Sequence, residues 1–308
     1  MMRLHQLLIK YPELERKLME KRNHHYISQF YLKGFLDERV IPPREPSLWV
    51  YDKYLKKLKR KGTKNVANIN GYYDLKLITG DITTEVEEFF AKKIETPSAI
   101  ILKKILNQTL LSDEERIQFS HFIYFSLSRV PNFLNYMTWL HRNTERLKSL
   151  FDVSAEIKEI VEETISAEEL TTLELMIESS KIFVPFIYNM NWQFHIAPQH
   201  KYFLTSDNPV ILNDPSQRKI SPSFSGWNNP NIHLTFPLNS TMCLRATWGR
   251  KRKLYVKASS EFIRAINFRT AFFATRYIFS SRQIEPPVLN GIFSYNLSDI
   301  YESKQNWE

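Results

Sequence analysis

Apolar residues change their spacing several times along this chain, and each change predicts a different kind of element. Residues 3–22 carry Leu4, Leu7, Leu8, Leu14 and Leu18 among charges, which predicts short amphipathic helices broken at Pro12. At residues 48–52 the run Leu-Trp-Val-Tyr-Asp is aromatic and β-branched and predicts a strand. A second strand is expected near Val66, with Gly62 in the turn and the basic residues 56–61 in the connection between the two. From residue 84 the period is helical. Thr84 with Glu87, Ser112 with Glu115, and Ser166 with Glu169 have capping-box spacing, so three helix starts are expected. The segment from His121 to Arg129 is apolar nearly all round and should run through the core, ending before Pro131. Residues 142–180, rich in Glu and Lys, read as helices joined by polar turns.

Beyond residue 185 the pattern turns to β. Residues 192–196 alternate, and residues 202–205 read as their hairpin partner across a Pro-Gln-His-Lys turn. Strands are expected near 233–238 and 242–247, followed by the basic turn Arg250-Lys251-Arg252-Lys253, a long helix from about Ser260, and a final strand over 276–279. The fold class is therefore α+β: an N-terminal β-hairpin layer, a mostly helical middle, and a C-terminal antiparallel sheet with a closing helix. Residues 1–22 are expected to form an N-terminal helical extension. Residues 23–280 form one compact domain with lobes at 23–80, 81–185 and 186–280, and 281–308 a tail.

Composition narrows the function classes. With 43% hydrophobic and 24% charged residues in 308, the chain is an ordinary globular one with enough apolar surface for a sizeable core. Aromatics are dense, with 21 Phe, 15 Tyr and 6 Trp against 7 Gly, which supplies rigid rings for a core or for stacking on bases. The net charge of +9 favours an anionic partner, with nucleic acid or a nucleotide first. No run of about 18 apolar residues occurs and the N-terminus lacks a signal-peptide core, so a cytoplasmic protein without membrane attachment is expected. The single cysteine, Cys243, excludes an intrachain disulfide and a cysteine-rich zinc site. Any metal would take His, Asp or Glu ligands. Glycine-rich phosphate loops, a Gly-x-Ser-x-Gly elbow and a His-Glu-x-x-His helix are absent.

The candidate chemistry starts at Asn23-His24-His25-Tyr26. Imidazole serves as a proton shuttle or metal ligand near neutral pH, and neighbours on an extended segment point to opposite faces, so His24 and His25 cannot both face the core. Glu85, Glu88, Lys92 and Glu95 recur at helical spacing and set carboxylates along one stripe. Arg129, at the end of an apolar helix, needs a carboxylate or phosphate partner. Asp207 and Asn208 before Pro209 read either as a side-chain-stabilised turn or as a carboxylate displayed at a strand end. Lys57, Lys59 and Arg60 form a basic cluster that would track a phosphate backbone or cover a solvated hairpin tip.

Several of these segments together resemble an uncharacterised prokaryotic family, that of domain of unknown function 4238. The resemblance rests on His24-His25-Tyr26-Ile27-Ser28-Gln29-Phe30-Tyr31-Leu32 with Phe35, on residues 48–52, and on Asn65-Val66-Ala67 leading to Tyr72-Tyr73. It continues through Ser128-Arg129-Val130-Pro131, Thr205-Ser206-Asp207-Asn208-Pro209-Val210 and Phe236-Pro237-Leu238, covering about residues 22–280. Ser28 departs from the pattern, since the family usually has proline there, and the first 20 residues look like an addition.

Three functions are weighed. The first is a nuclease cleaving RNA or DNA phosphodiesters, in the setting of a defence-related effector. His24 or His25 would be the general base or a metal ligand, Glu88 and Asp207 would assist or orient the imidazole, and Gln29, Arg129, Ser206, Asn208 and the basic cluster would bind substrate. Glu88, Glu95 and Asp207 would hold Mg or Mn. The second is a non-enzymatic module that binds nucleic acid or a partner protein, with His, Arg and Asp in a structural polar network. The third is a hydrolase or transferase acting on a nucleotide. All site assignments depend on convergence in space of residues spread over nearly two hundred positions.

Overall fold

The computed structural model describes residues 23–40, 45–70, 75–76, 82–83, 90–131, 133, 172–215, 229–250 and 252–284. Residues 1–22, the Thr84 and Ser166 helix starts, Glu85, Glu88 and His141 lie outside the described residues. The fold is α+β, with strands first, helices in the middle and a sheet and helix last.

The chain opens on β1 (Asn23–His25), the short helix α1 (Gln29–Leu32) and a tighter turn at Lys33–Phe35, then β2 (Leu48–Asp52), β3 (Lys57–Lys61) and β4 (Asn68–Asn70). A small β5 (Leu75–Lys76) and β6 (Ile82–Thr83) pair follows. A π-helical turn at Phe90–Glu95 leads into α2 (Thr96–Leu106), with Pro97 in its first turn, where a missing N–H costs nothing. Ser112 and Glu115 form the capping box of α3 (Asp113–Ser128), with each side chain bonded to the other's backbone N–H. Helix α4 spans Thr172–Asn189.

The later strands are β7 (Asn191–Ile196), β8 (Thr205–Ser206), β9 (Ile211–Asn213), β10 (His233–Asn239), β11 (Met242–Thr247) and β12 (Tyr255–Lys257). Helix α5 (Ser260–Phe273) and β13 (Tyr277–Ser280) close the described chain. The two larger sheets have the orders β12-β7-β11-β10-β9 and β3-β2-β13-β8, and β1 pairs with β4 in a small separate one.

Three expectations change. The basic run 57–61 is a strand, paired residue for residue with β2, and not the connection to a strand at Val66. It lies at the edge of its sheet with Lys57, Lys59 and Arg60 exposed, where charges discourage pairing with other chains. Residues 192–196 pair with β11 and, in parallel, with β12. They do not form a hairpin with 202–205, of which only Thr205 enters a strand, against β13. The expected final strand does form, but it completes the N-terminal layer by inserting between β2 and β8.

The main core cluster among the described residues runs from Tyr26 to Phe279, and in a smaller one Ile284, past the expected domain end at 280, packs beside Tyr51 and Leu204. The centre of the main cluster is aromatic. Tyr31 stacks on Phe236 at 5.0 Å and meets Phe122 of α3 at 6.5 Å. Each such fully buried ring contributes about 1.5–3 kcal/mol. The Tyr31 hydroxyl donates to the Pro237 carbonyl at 2.7 Å and bonds Thr205 Oγ1 at 2.6 Å, tying the first motif to both sheets. Gly34 lets the β10–β11 turn approach closely, since a Cβ there would stand 2.8 Å from that of Asn239. Among the described residues no helix is long and apolar enough to cross a membrane.

Candidate functional site

Antiparallel pairing of β1 with β4 sets His24 opposite Ile69 and His25 opposite Asn68. Alternation then sends the two imidazoles to opposite sides, as a strand requires. His24 is 3% exposed, within the core. His25 is partly buried beside Thr63 and Lys64. Its Nε2 is shielded from solvent and has no hydrogen-bond partner. Burial is the main influence on this imidazole and lowers its pKa, with Glu95 pulling upward and Arg129 downward, so the ring is neutral at pH 7.

Arg129, at the C-terminal end of α3, reaches back to the first motif. Its Nη1 meets Glu95 Oε1 at 2.7 Å and its Nη2 donates to the His25 carbonyl at 2.5 Å. The guanidinium also lies over the Phe90 ring at 4.2 Å. Glu95 stands where the π-helical turn passes into α2, and such turns recur at functional sites. Its Oε1 accepts a second bond from Ser28 Oγ at 2.8 Å. Ser28 therefore supplies a hydroxyl to this carboxylate. Beside this set is a small hollow with room for about one water molecule, lined by Tyr26, Ser28, Phe122, Arg129 and Pro209 among others. The His25 side chain is not part of that lining.

Asp207 arrives from the other end of the chain. Its carboxylate accepts the backbone N–H groups of Thr275, Arg276 and Tyr277 at 2.8, 2.7 and 2.9 Å. Burial raises its pKa to about 6, against the downward pull of those donors and of Lys53. Lys53 in turn donates to the carbonyls of Ala271 and Ala274 at 2.9 and 2.6 Å, placing a cation at the C-terminal end of α5, where the helix dipole favours it. Asp52 pairs with Arg276 at 2.8 Å. Tyr26 links this set to the hollow, because its buried phenol feels Asp207, Tyr277 and Arg276 while its ring forms part of the lining.

The structure thus brings His25, Glu95 and Arg129 into contact, with Asp207 one tyrosine away. The other nominated residues are placed apart from them. Ser206 Oγ and Asn208 bond each other across the turn, and Asn208 Nδ2 donates to the Phe273 carbonyl at 3.2 Å. Gln29 opens α1, partly buried. Lys57 and Lys59 point to solvent from β3, and Arg60 lies 5.1 Å over Trp49 and bonds Ser47. For a divalent cation, Glu95 and Asp207 are occupied by Arg129 and Ser28 and by backbone N–H groups respectively. Among the described residues no three His, Cys, Asp or Glu side chains gather where they would hold a metal.

The family described as "Protein of unknown function (DUF4238)" matches residues 23–283. The chain belongs to that family. No curated protein matches it, and no solved structure does. In this DUF4238 protein Tyr26, Ile27 and Ser28, then Arg129 and Pro209, distant in the sequence, line one small hollow. Sequence reasoning missed Tyr26 and Ser28 as members of the site. Both lie within the run that opens on the histidine pair, which was the signal available for them.

Proposed function

We propose that this DUF4238 protein is a nuclease that cleaves a phosphodiester backbone, with His25 as the proton acceptor and Arg129 as the cation beside the phosphate. The observation that carries this reading is the unpartnered, shielded Nε2 of His25 next to a network in which Arg129, Glu95 and Ser28 are bonded. Leaving such an atom without a partner costs about 1–3 kcal/mol, and a native fold tolerates that cost where the atom has work to do. A neutral imidazole keeps a lone pair on one ring nitrogen, and with that lone pair on Nε2 the ring is in the state a general base needs. RNA suits this arrangement best. Its 2′-hydroxyl gives its proton to Nε2, the 2′-oxygen attacks phosphorus, and the 5′-oxygen of the next nucleotide leaves and is protonated by water.

A second reading is a binding module. It is favoured by Asp207, Ser206 and Asn208, whose polar atoms are engaged within the fold, as a structural network would have them.

Purified protein incubated with single-stranded RNA and DNA, with EDTA and separately with Mg or Mn, distinguishes the two. The nuclease reading expects RNA cleavage that His25→Ala lowers by roughly 100-fold or more with the unfolding temperature unchanged. Cleavage indifferent to His25→Ala would overturn the role of His25, and salt-sensitive binding with no cleavage in any condition would replace the nuclease by the module.

A further inference from the structure

A second cluster of polar side chains sits on the five-stranded sheet, on the face turned away from the aromatic core. Cross-strand register pairs Arg245 of β11 with Gln193 of β7 on one side and with Thr235 of β10 on the other. It likewise pairs Cys243 with His195 and Thr247 with His233. Side chains alternate along a strand, so His195, Arg245 and His233 share one face while Phe194, Leu244 and Leu234 point into the core. Helix α5 covers part of the polar face, where Phe262 stacks on the His195 ring at 3.8 Å and Arg269 lies buried.

The charge on this face is lopsided. Arg245 Nη2 lies 3.3 Å from His233 Nε2, and since a guanidinium only donates, that imidazole nitrogen must present its lone pair. A bond from Gln193 Nε2 to the Lys253 carbonyl at 3.0 Å draws the basic loop over the sheet, with Arg252 exposed on it. Burial, then Arg245, hold both His195 and His233 at about 3, with Arg252 acting on each and Arg269 on His233. The one carboxylate among the described residues that acts on His233 is Asp214, bonded by Asn229 at 2.6 Å. Arg245 itself is partly buried, the charge acting on it is the like charge of Arg252, and among the described residues no carboxylate pairs with it. A desolvated guanidinium in this position calls for an anion. The Nε2 of His195, shielded and without a partner, is a further polar atom left over on the same face.

We propose that this face is an anion site that takes a dianionic phosphate group, free or at the end of a nucleotide, between Arg245 and Arg252 with His233 beside it. A terminal phosphate fits better than a backbone diester. Two guanidinium groups balance two charges, Arg245 offers the planar fork that phosphate oxygens accept, and the partly buried position admits a group rather than a strand. The site is separate from the hollow beside Ser28 and Arg129 and does not depend on the nuclease reading.

Titration calorimetry of the full chain with inorganic phosphate and with adenosine 5′-monophosphate, at ionic strength matched with KCl, tests the assignment. Saturable binding of at least one is expected, weakened about tenfold or more by Arg245→Gln, in line with the strength of charge-assisted hydrogen bonds. Tighter binding of the nucleotide than of phosphate would identify the source as a nucleotide, and equal or weaker binding as the free ion. Should Arg245→Gln fail to fold, the exposed Arg252→Gln decides, with a several-fold weakening expected. No saturable binding of either probe, or binding that the variant leaves unchanged, overturns the proposal.

Discussion

Asp207, just past β8, has its carboxylate bonded by three consecutive backbone N–H groups, with Lys53 nearby. Arg245, in the middle of β11, has an imidazole nitrogen at 3.3 Å and no carboxylate among the described residues. Both charges are taken out of water by a sheet, yet only the first is answered from within the protein. The loop from Thr275 to Tyr277 is shaped around Asp207, so this aspartate, nominated as catalytic from sequence, serves in the structure as the anchor of β13. Nothing among the described residues is shaped around Arg245, which leaves its requirement for an opposite charge to something outside the chain.

The largest expected effect breaks the answered side of the comparison. Asp207→Ala strands three N–H groups in the interior, and stability should fall by about 3–5 kcal/mol, read as a lower urea midpoint. A folded variant of normal stability that lost only activity would instead make Asp207 a chemical group.

The unanswered side predicts the opposite sign. Arg245→Met removes a desolvated charge with no counter-charge and keeps a flexible apolar stem, so stability should stay level or rise by about 1 kcal/mol. A loss of more than about 2 kcal/mol would show that Arg245 is as fully engaged as Asp207.

The smallest effect appears in pH dependence. Burial raises Asp207 to about 6 from an ordinary 3.8, so the folded state binds its proton more tightly and its contribution to stability improves as pH falls from above 6 toward 3.8. The Arg39 hydrogen bond, with Trp49 adding to it, lowers Asp37 to about 2 from the same starting point. Its contribution is complete above 3.8 and is lost as pH falls through 2. Urea midpoints of the parent and of Asp207→Asn should therefore diverge between pH 7 and 4.5, the parent gaining on the variant as acid is added. Parallel curves would mean that the carboxylate is stabilised as the anion.

Local chemistry was the legible part of the sequence. The Ser112–Glu115 capping box, the buried helix to Ser128 and the Ser259-capped helix α5 form where short-range patterns put them. Pairing over long distances was not. Lys57–Lys61 hides a strand behind its charges because an edge position leaves no apolar face to read, and Trp192 to Ile196 found partners fifty residues away instead of the nearest extended segment. For the site, motif residues identified His25, Glu95 and Arg129, whose contact only the fold could establish. The Arg245 face went unread because its members come from three strands and a loop, and register alone unites them. An arginine inside the apolar run Met242-Cys243-Leu244-Arg245-Ala246 was its one trace in the sequence.

The insertion of β13 between β2 and β8 sets an order of events during synthesis. The hairpin of β2 and β3 leaves the ribosome more than two hundred residues before the strand that shields its inner edge, and must wait with open backbone groups until nearly the whole described chain has emerged. Such distant closure slows folding and lengthens exposure to aggregation, and a fragment ending before Tyr277 would lose the strand that joins β2 to β8.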